Sequence, residues 1–367
     1  MKIRIVKGLV RKLSEKRSLE AGEYRSLLVC DDDEVIGELH EAARAVARER
    51  FGDSIWIRGL LEFTNICRND CLYCGIRRSN RKIARYTLSK DEVLECCARG
   101  YGAGFRTFVL QGGELPDQSD RLIEDICASI RKSFPDCAVT LSLGERQDES
   151  YERFFRAGAT RYLLRHETRN PDHYAMLHPP GMSLGHRLHC LDRLKEIGYQ
   201  TGTGFMVGSP FQTYDNIVED ILFIGGFRPE MIGIGPFIPH RNTPLGKYRT
   251  GVVDHFPTNV VSLTLKLISI FRLMLPDSLI PATTALATLA PGGPDQPGGR
   301  EMGILAGANV VMPNISPPGV RESYSLYDGK AASGAESGEG LEILEERLSR
   351  IGYRISTDRG DWSPREN

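Results

Sequence analysis

The sequence lacks a dominant charge of either sign. Lys and Arg together number 47 and Asp and Glu 48, for a net charge of −1. No broad positive field draws in nucleic acid or an anionic lipid surface, so neither is expected as a partner. Long apolar runs are also missing. No stretch reaches the roughly 18 apolar residues of a membrane span. The basic segment 1–13 is too broken by charge to be a signal peptide. The nine cysteines are an odd number in a chain of 367 residues. They do not read as a disulfide framework, and a reducing, cytoplasmic setting is expected.

Six of the nine, Cys30, Cys96, Cys97, Cys127, Cys137 and Cys190, are scattered and mostly lie among apolar neighbours. They read as small buried hydrophobes. The other three are grouped. Cys67, Cys71 and Cys74 form a C-x3-C-x2-C loop, with Tyr73 just before the last. Three thiolates on one loop can hold three corners of a four-iron cluster. With no fourth cysteine nearby, one iron stays open for chemistry. A zinc knuckle is the competing reading, but zinc sites usually add a second pair or nearby histidines. The nearest later cysteine or histidine is Cys96. The loop is therefore read as the signature of a radical S-adenosylmethionine (SAM) enzyme. In that chemistry the amino acid end of SAM chelates the open iron. One electron then splits a sulfur–carbon bond to give methionine and a 5′-deoxyadenosyl radical, the hard step belonging to the cofactor.

Periodicity supplies the frame. Val35, Leu39, Ala43, Val46 and Ala47 recur at helical spacing, so residues 1–52 read as a helical extension. Eight short apolar runs then alternate with amphipathic segments: 57–63, 106–111, 138–143, 161–166, 202–207, 231–236, 279–283 and 309–312. Over residues 53–330 this pattern predicts a (β/α)8 TIM-type barrel, an α/β fold. Residues 331–367 read as a short C-terminal helix followed by a loosely ordered polar tail. The segments 291–299 and 331–340 read as flexible connections. Several strands end in polar or glycine-rich tails, and in a barrel the strand C-termini build the active site. The cysteine loop follows the first strand and falls at that same face. Gly112, Gly113 and Glu114, after the second strand, can bring backbone atoms up to a ligand; a plain strand-to-helix turn is the alternative. A carboxylate at 167 suits ribose hydroxyls or an amino group. Arg187 suits a carboxylate. His166 and His240 read as oriented or structural histidines rather than metal ligands.

Several blocks carry a closer resemblance. Cys67–Cys74 with its Arg-Arg sequel, Val109–Glu114, Val139–Glu145, Arg161–Thr168, Gly233–His240, Pro281–Ala285 and Gly307–Asn314 together resemble the HydE family of [FeFe]-hydrogenase maturases. The likeness covers roughly residues 30–330. It implies a complete barrel with one [4Fe-4S] cluster and SAM at its mouth and substrate deep inside. It implies SAM-binding roles for Tyr73, Gly112, Gly113, Glu114, Ser142, Glu167, Arg187 and Met206. It implies an internal anion-binding cavity lined by Thr140, Arg161 and Thr283 or Thr284, closed by Tyr324 or Tyr327, with Tyr324 grouped with the catalytic residues. The implied substrate is a small or organometallic molecule, an iron–cysteine–carbonyl–cyanide precursor of the hydrogenase diiron site. A ferredoxin or flavodoxin would donate electrons, and other maturases are candidate partners. Some family members carry extra C-terminal cysteines for a second cluster. Residues 329–367 contain none, so a single cluster is expected. The rival readings are an amino-acid mutase like methylornithine synthase (PylB), a biotin-synthase-like sulfur inserter, and a non-enzymatic iron–sulfur scaffold.

Overall fold

The computed structural model describes residues 2–248, 259–293, 296–331 and 333–364. Three helices lead in: α1 (Lys2–Lys16), α2 (Ala21–Leu28) and α3 (Asp33–Phe51). The third starts where the Asp32 side chain accepts from Val35 N at 3.1 Å, and Gly52 ends it. Such a cap satisfies one of the amide groups that a helix start leaves unpaired. Leu9, Leu13, Leu39 and Ala43 join the core shared with the barrel, so the lead-in is packed against it.

The barrel strands are short. β1 (Ser54–Ile57) and β2 (Gly59–Thr64) occupy the first position, broken at Arg58. β3 (Thr107–Gly112), β4 (Ala138–Ser142) and β5 (Ala159–Leu163) follow. β6 (Gln200–Thr203) and β7 (Met206–Val207) share the fifth position, and β8 (Met231–Ile232) and β9 (Gly235–Pro236) the sixth. β2, β3, β4, β5, β6 and β8 form one parallel sheet in that order. Met231 bridges Leu279, and Pro281 bridges Val310 of β10 (Val310–Val311), which pairs with β1. The ring thereby closes through eight positions, as the alternating pattern predicts.

Two expectations fail after residue 330. Residues 334–340 form two short 3-10 turns rather than a flexible link, held by the buried Arg300–Glu336 ion pair and the bridge from Ser337 to Asn314. The tail is not loose through residue 364 either. Arg354–Ser356 forms β11, pairing in parallel with β1, and the chain then runs under the barrel. There the wholly buried Arg161 side chain binds Asp361 at 2.5 Å and the carbonyls of Arg359 and Gly360 at 3.3 and 3.2 Å. Thr107 Oγ1 donates to the Arg359 carbonyl at 2.8 Å. Trp362 packs with Trp56, Met231 and Leu279. The tail therefore forms the barrel floor. Its polar sequence hides this, because its main anchor is a long-range ion pair and not an apolar pattern.

Asp361→Ala leaves the Arg161 guanidinium buried without its carboxylate. Because Asp361 is itself partly exposed, the expected cost is about 1–3 kcal/mol, below that of a fully buried pair. A urea unfolding midpoint equal to that of the unmodified chain contradicts this.

Candidate active site at the barrel mouth

The loop that leaves β2 is held from several elements. Asn65 is buried; its amide donates to the carbonyls of Ala84 and Ser323, each at 2.7 Å, and its Oδ1 accepts from Tyr86 N at 2.8 Å. Arg85 gathers the carbonyls of Ile76 and Asn80 at 2.8 and 3.0 Å. Backbone bonds tie Arg68 to Glu114, Leu72 to Leu177, Leu245 to Leu72 and Gly75 to Leu326. Four separate segments of the barrel rim thus fix eight residues of loop.

Cys67, Cys71 and Cys74 are free and half-buried. Burial pushes all three thiols up, Cys74 to about 12. The Cys67 and Cys74 charges add to the rise at Cys71, and that of Cys67 adds at Cys74. Among the described residues no three His, Cys, Asp or Glu side chains converge as ligands of a single metal ion. Glu114 N–H donates to Cys67 Sγ at 3.4 Å, a bond of the kind that tunes cluster sulfur ligands.

Two glycines are required here by space. A Cβ on Gly113 would lie 2.2 Å from the Ile66 carbonyl oxygen. One on Gly75 would lie 2.0 Å from the Ser325 carbonyl oxygen and 2.4 Å from His240 Cδ2. His240 is thereby a packing partner of the loop, and its Nδ1 accepts from Asn242 N at 3.1 Å.

The other residues singled out from the sequence fall at or near the mouth, with three exceptions in role. Ser142 ends β4, paired with Gln111. Glu167 stands in a left-handed conformation, φ 66°, and its carboxylate accepts from Arg165 at 2.8 Å. Such strain in a non-glycine residue marks a position over-determined by its surroundings. Met206 and Tyr73 share a small apolar cluster with Leu177, Phe237 and Leu245. The first exception is Glu114. Its carboxylate is occupied by Arg68 Nε at 2.6 Å and Glu145 N at 2.7 Å, so it braces the loop and is not open to a ligand. The second is Arg161, which faces the floor and not the mouth, with the chain's own Asp361 as its anion. The third is Thr284, which opens the helix Thr284–Leu289 and turns its hydroxyl toward Glu336. Thr140 and Thr283 each keep a buried hydroxyl without a partner, and Tyr324 is buried with its hydroxyl 3.3 Å from Gln111 Nε2. Tyr327 lies beside Thr288.

Two partners escaped the sequence reading. Arg187 is buried and bonded through Nε to Glu145 and through Nη1 to the Arg165 carbonyl at 2.6 Å. His178 stacks on Tyr174 with centroids 3.9 Å apart. Burial drives its pKa down to about 3, so the ring is neutral. With Nδ1 donating to the Tyr174 carbonyl at 3.0 Å, Nε2 is left to accept the Tyr73 hydroxyl at 3.4 Å. Neither partner has a local signal, since both come from other strands and helices. His166 is likewise neutral, its pKa lowered by burial to about 3, and it bridges Thr203 and Asp220.

Comparison with known proteins decides the family. Residues 61–224 match the model of the radical SAM superfamily. The "[FeFe] hydrogenase maturase subunit HydE" of Thermotoga maritima is 44% identical over 346 residues, 94% of each chain. The chain belongs to the HydE family of radical SAM enzymes. The 3-methylornithine synthase of Methanosarcina acetivorans is 28% identical over 86% of this chain and 85% of its own. Among solved structures, methylornithine synthase (PylB) superposes with a TM-score of 0.79 at 25% identity, covering 95% of this chain and 97% of its own. The maturase HydG from Carboxydothermus hydrogenoformans gives 0.78 at 21% identity, over 96% and 80%. These are radical SAM barrels, and the fold is theirs. The family implies a [4Fe-4S] cluster and SAM. No helix among the described residues is long and apolar enough to cross a membrane.

Gly75→Ala forces a methyl group into the Ser325 carbonyl. The loop must shift, and the variant is expected to lose most of its iron on anaerobic reconstitution. Iron content equal to that of the unmodified chain contradicts the packing argument.

Proposed function

We propose that the chain binds one [4Fe-4S] cluster through Cys67, Cys71 and Cys74, cleaves SAM reductively, and acts in assembly of the [FeFe]-hydrogenase diiron site on an iron–cysteine–carbonyl–cyanide precursor. The observation that carries this is the 44% identity to a HydE maturase over 94% of the chain, joined to a three-cysteine loop clamped at the barrel mouth. When bound, the cluster and SAM together supply the electron and the scissile sulfur–carbon bond that yield the 5′-deoxyadenosyl radical.

The chain's own residues bind, orient and exclude water. Arg187 is held by Glu145 and the Arg165 carbonyl, which leaves its Nη2 edge for the SAM carboxylate. A guanidinium already fixed on two sides loses little freedom on binding. Gly112 and Gly113 bring backbone up to the amino acid end of SAM, and Glu167 and Ser142 serve its amino and hydroxyl groups. Met206 and Tyr73 pack its apolar parts, with Tyr73 fixed by His178. Thr140, Thr283 and Tyr324 line the substrate space below. A ferredoxin or flavodoxin delivers the electron, and the companion maturases supply and receive the substrate.

The PylB likeness supports a second reading, an amino-acid mutase on the same barrel. The two part on one assay. Apo-hydrogenase in an extract without its own HydE activity should be matured on adding this protein. A failure to mature it, with lysine converted instead, favours the mutase. Separately, reduced and reconstituted protein given SAM should release 5′-deoxyadenosine, and Cys71→Ala should lose both cluster and release. An intact cluster in Cys71→Ala refutes the ligand assignment.

A further inference from the structure

The chain is nearly neutral as a whole, but its cysteine loop and the segment after it are not. Between residues 65 and 87 six cations, Arg68, Arg77, Arg78, Arg81, Lys82 and Arg85, stand against one acid, Asp70. That is a local balance of +5 in a chain of net −1. Asp70 is engaged within the segment: it pairs with Arg77 at 2.9 Å and accepts from Ser79 N at 3.0 Å. Arg68 is engaged by Glu114 at 2.6 Å and Asp117 at 2.9 Å. Arg85 binds backbone carbonyls. Arg78, Arg81 and Lys82 are left. All three are exposed, and among the described residues none has a carboxylate within ion-pair distance.

The backbone beneath these side chains is fixed to the cysteine loop itself. Arg77 N donates to the Cys74 carbonyl at 3.1 Å and Arg78 N to the Asn69 carbonyl at 2.9 Å. Asn80 Nδ2 donates to the Gly75 carbonyl at 2.7 Å, and its Oδ1 accepts from Lys82 N at 3.0 Å. Arg78 follows Cys74 by four residues, so their Cα atoms are at most about 15 Å apart. Side chains that face solvent do not touch SAM or substrate inside the barrel. They can meet whatever brings the electron. Each SAM cleavage draws one electron from outside the chain, and it must enter close to the half-buried cysteines. A concentrated patch of one sign on a near-neutral protein steers and orients a partner of the opposite sign.

We propose that Arg78, Arg81 and Lys82 form the docking surface for a small acidic one-electron carrier protein, which is thereby held with its redox group against the cysteine loop. The inference rests on the radical SAM reading of this mouth and adds to it the place where the electron enters. The carrier is oxidised by one electron as the cluster is reduced by one, and no proton or group moves.

The test mixes the reconstituted full chain, without SAM, with a reduced bacterial ferredoxin and, separately, with a reduced flavodoxin. Bleaching of the cluster's visible absorbance in stopped flow gives the second-order rate of reduction. Excess dithionite, which needs no docking, is the control. With at least one carrier the rate should fall about tenfold or more between about 20 and 300 mM salt. It should fall by a similar factor at low salt in the triple variant Arg78→Glu, Arg81→Glu, Lys82→Glu. Iron content, reduction by dithionite and dithionite-driven release of 5′-deoxyadenosine should stay unchanged. The triple variant with Gln at the same positions should fall in between, and it decides the matter if the Glu variant fails to take up iron. A rate that ignores salt, or ignores the three substitutions with both carriers, overturns the proposal. A short single-stranded DNA that binds the unmodified chain as tightly as the carriers in calorimetric titration also overturns it, because the patch is then a general polyanion surface. Dithionite-driven release that persists while the carrier rates ignore the three charges sinks this inference alone. Charge-dependent reduction by a carrier without any release of 5′-deoxyadenosine sinks the SAM-cleavage reading alone.

Discussion

Everything at the mouth depends on keeping three thiols close together and out of water. Burial alone disfavours their ionised forms; the Cys67 and Cys74 charges raise Cys71 further, and that of Cys67 raises Cys74. Iron inverts that balance, because a coordinating thiol is deprotonated outright. The protein must hold the sulfurs in place before the metal arrives. It does so with backbone bonds from four parts of the rim and with Arg85, whose guanidinium binds only carbonyl oxygens. Gly75 and Gly113 then let backbone and His240 press against the loop where a Cβ would not fit.

The same economy of fixed donors runs through the residues around it. Arg187 is set by Glu145, whose backbone N–H is bound by Glu114, whose own N–H reaches Cys67. A chain of four residues, three after strand ends and Arg187 on the helix Leu184–Ile197, thus links the expected SAM-carboxylate partner to an expected cluster ligand. At the opposite end, the tail closes the barrel through Asp361 and Trp362. Between mouth and floor lie buried polar atoms of Arg58, Thr140 and Thr283 without partners among the described residues.

The barrel was legible in the sequence because its signals are local. Apolar runs, helical periodicity and glycine-rich strand ends repeat along residues 57–312, and the cysteine spacing stands on one loop. What stayed hidden depends on partners far apart in the chain. Glu145 and Arg187 are bonded across two elements. Lys330 and Glu62 meet across nearly the whole barrel. Residues 357–364 are polar and patternless, yet they are fixed by Arg161, and that pairing moved Arg161 from the predicted cavity to the floor. Glu114 ends a glycine turn whose backbone is the expected ligand contact; its carboxylate is taken by Arg68 and Glu145 N.

The central claim is that three cysteines hold a four-iron cluster with one iron left for SAM. Mössbauer spectroscopy of the chain reconstituted with isotopically enriched iron tests it most directly. On adding SAM, about a quarter of the iron signal should separate from the rest, as one corner gains nitrogen and oxygen ligands while three keep their thiolates. A spectrum unchanged by SAM, or iron present only as a smaller cluster or isolated ions, contradicts the account.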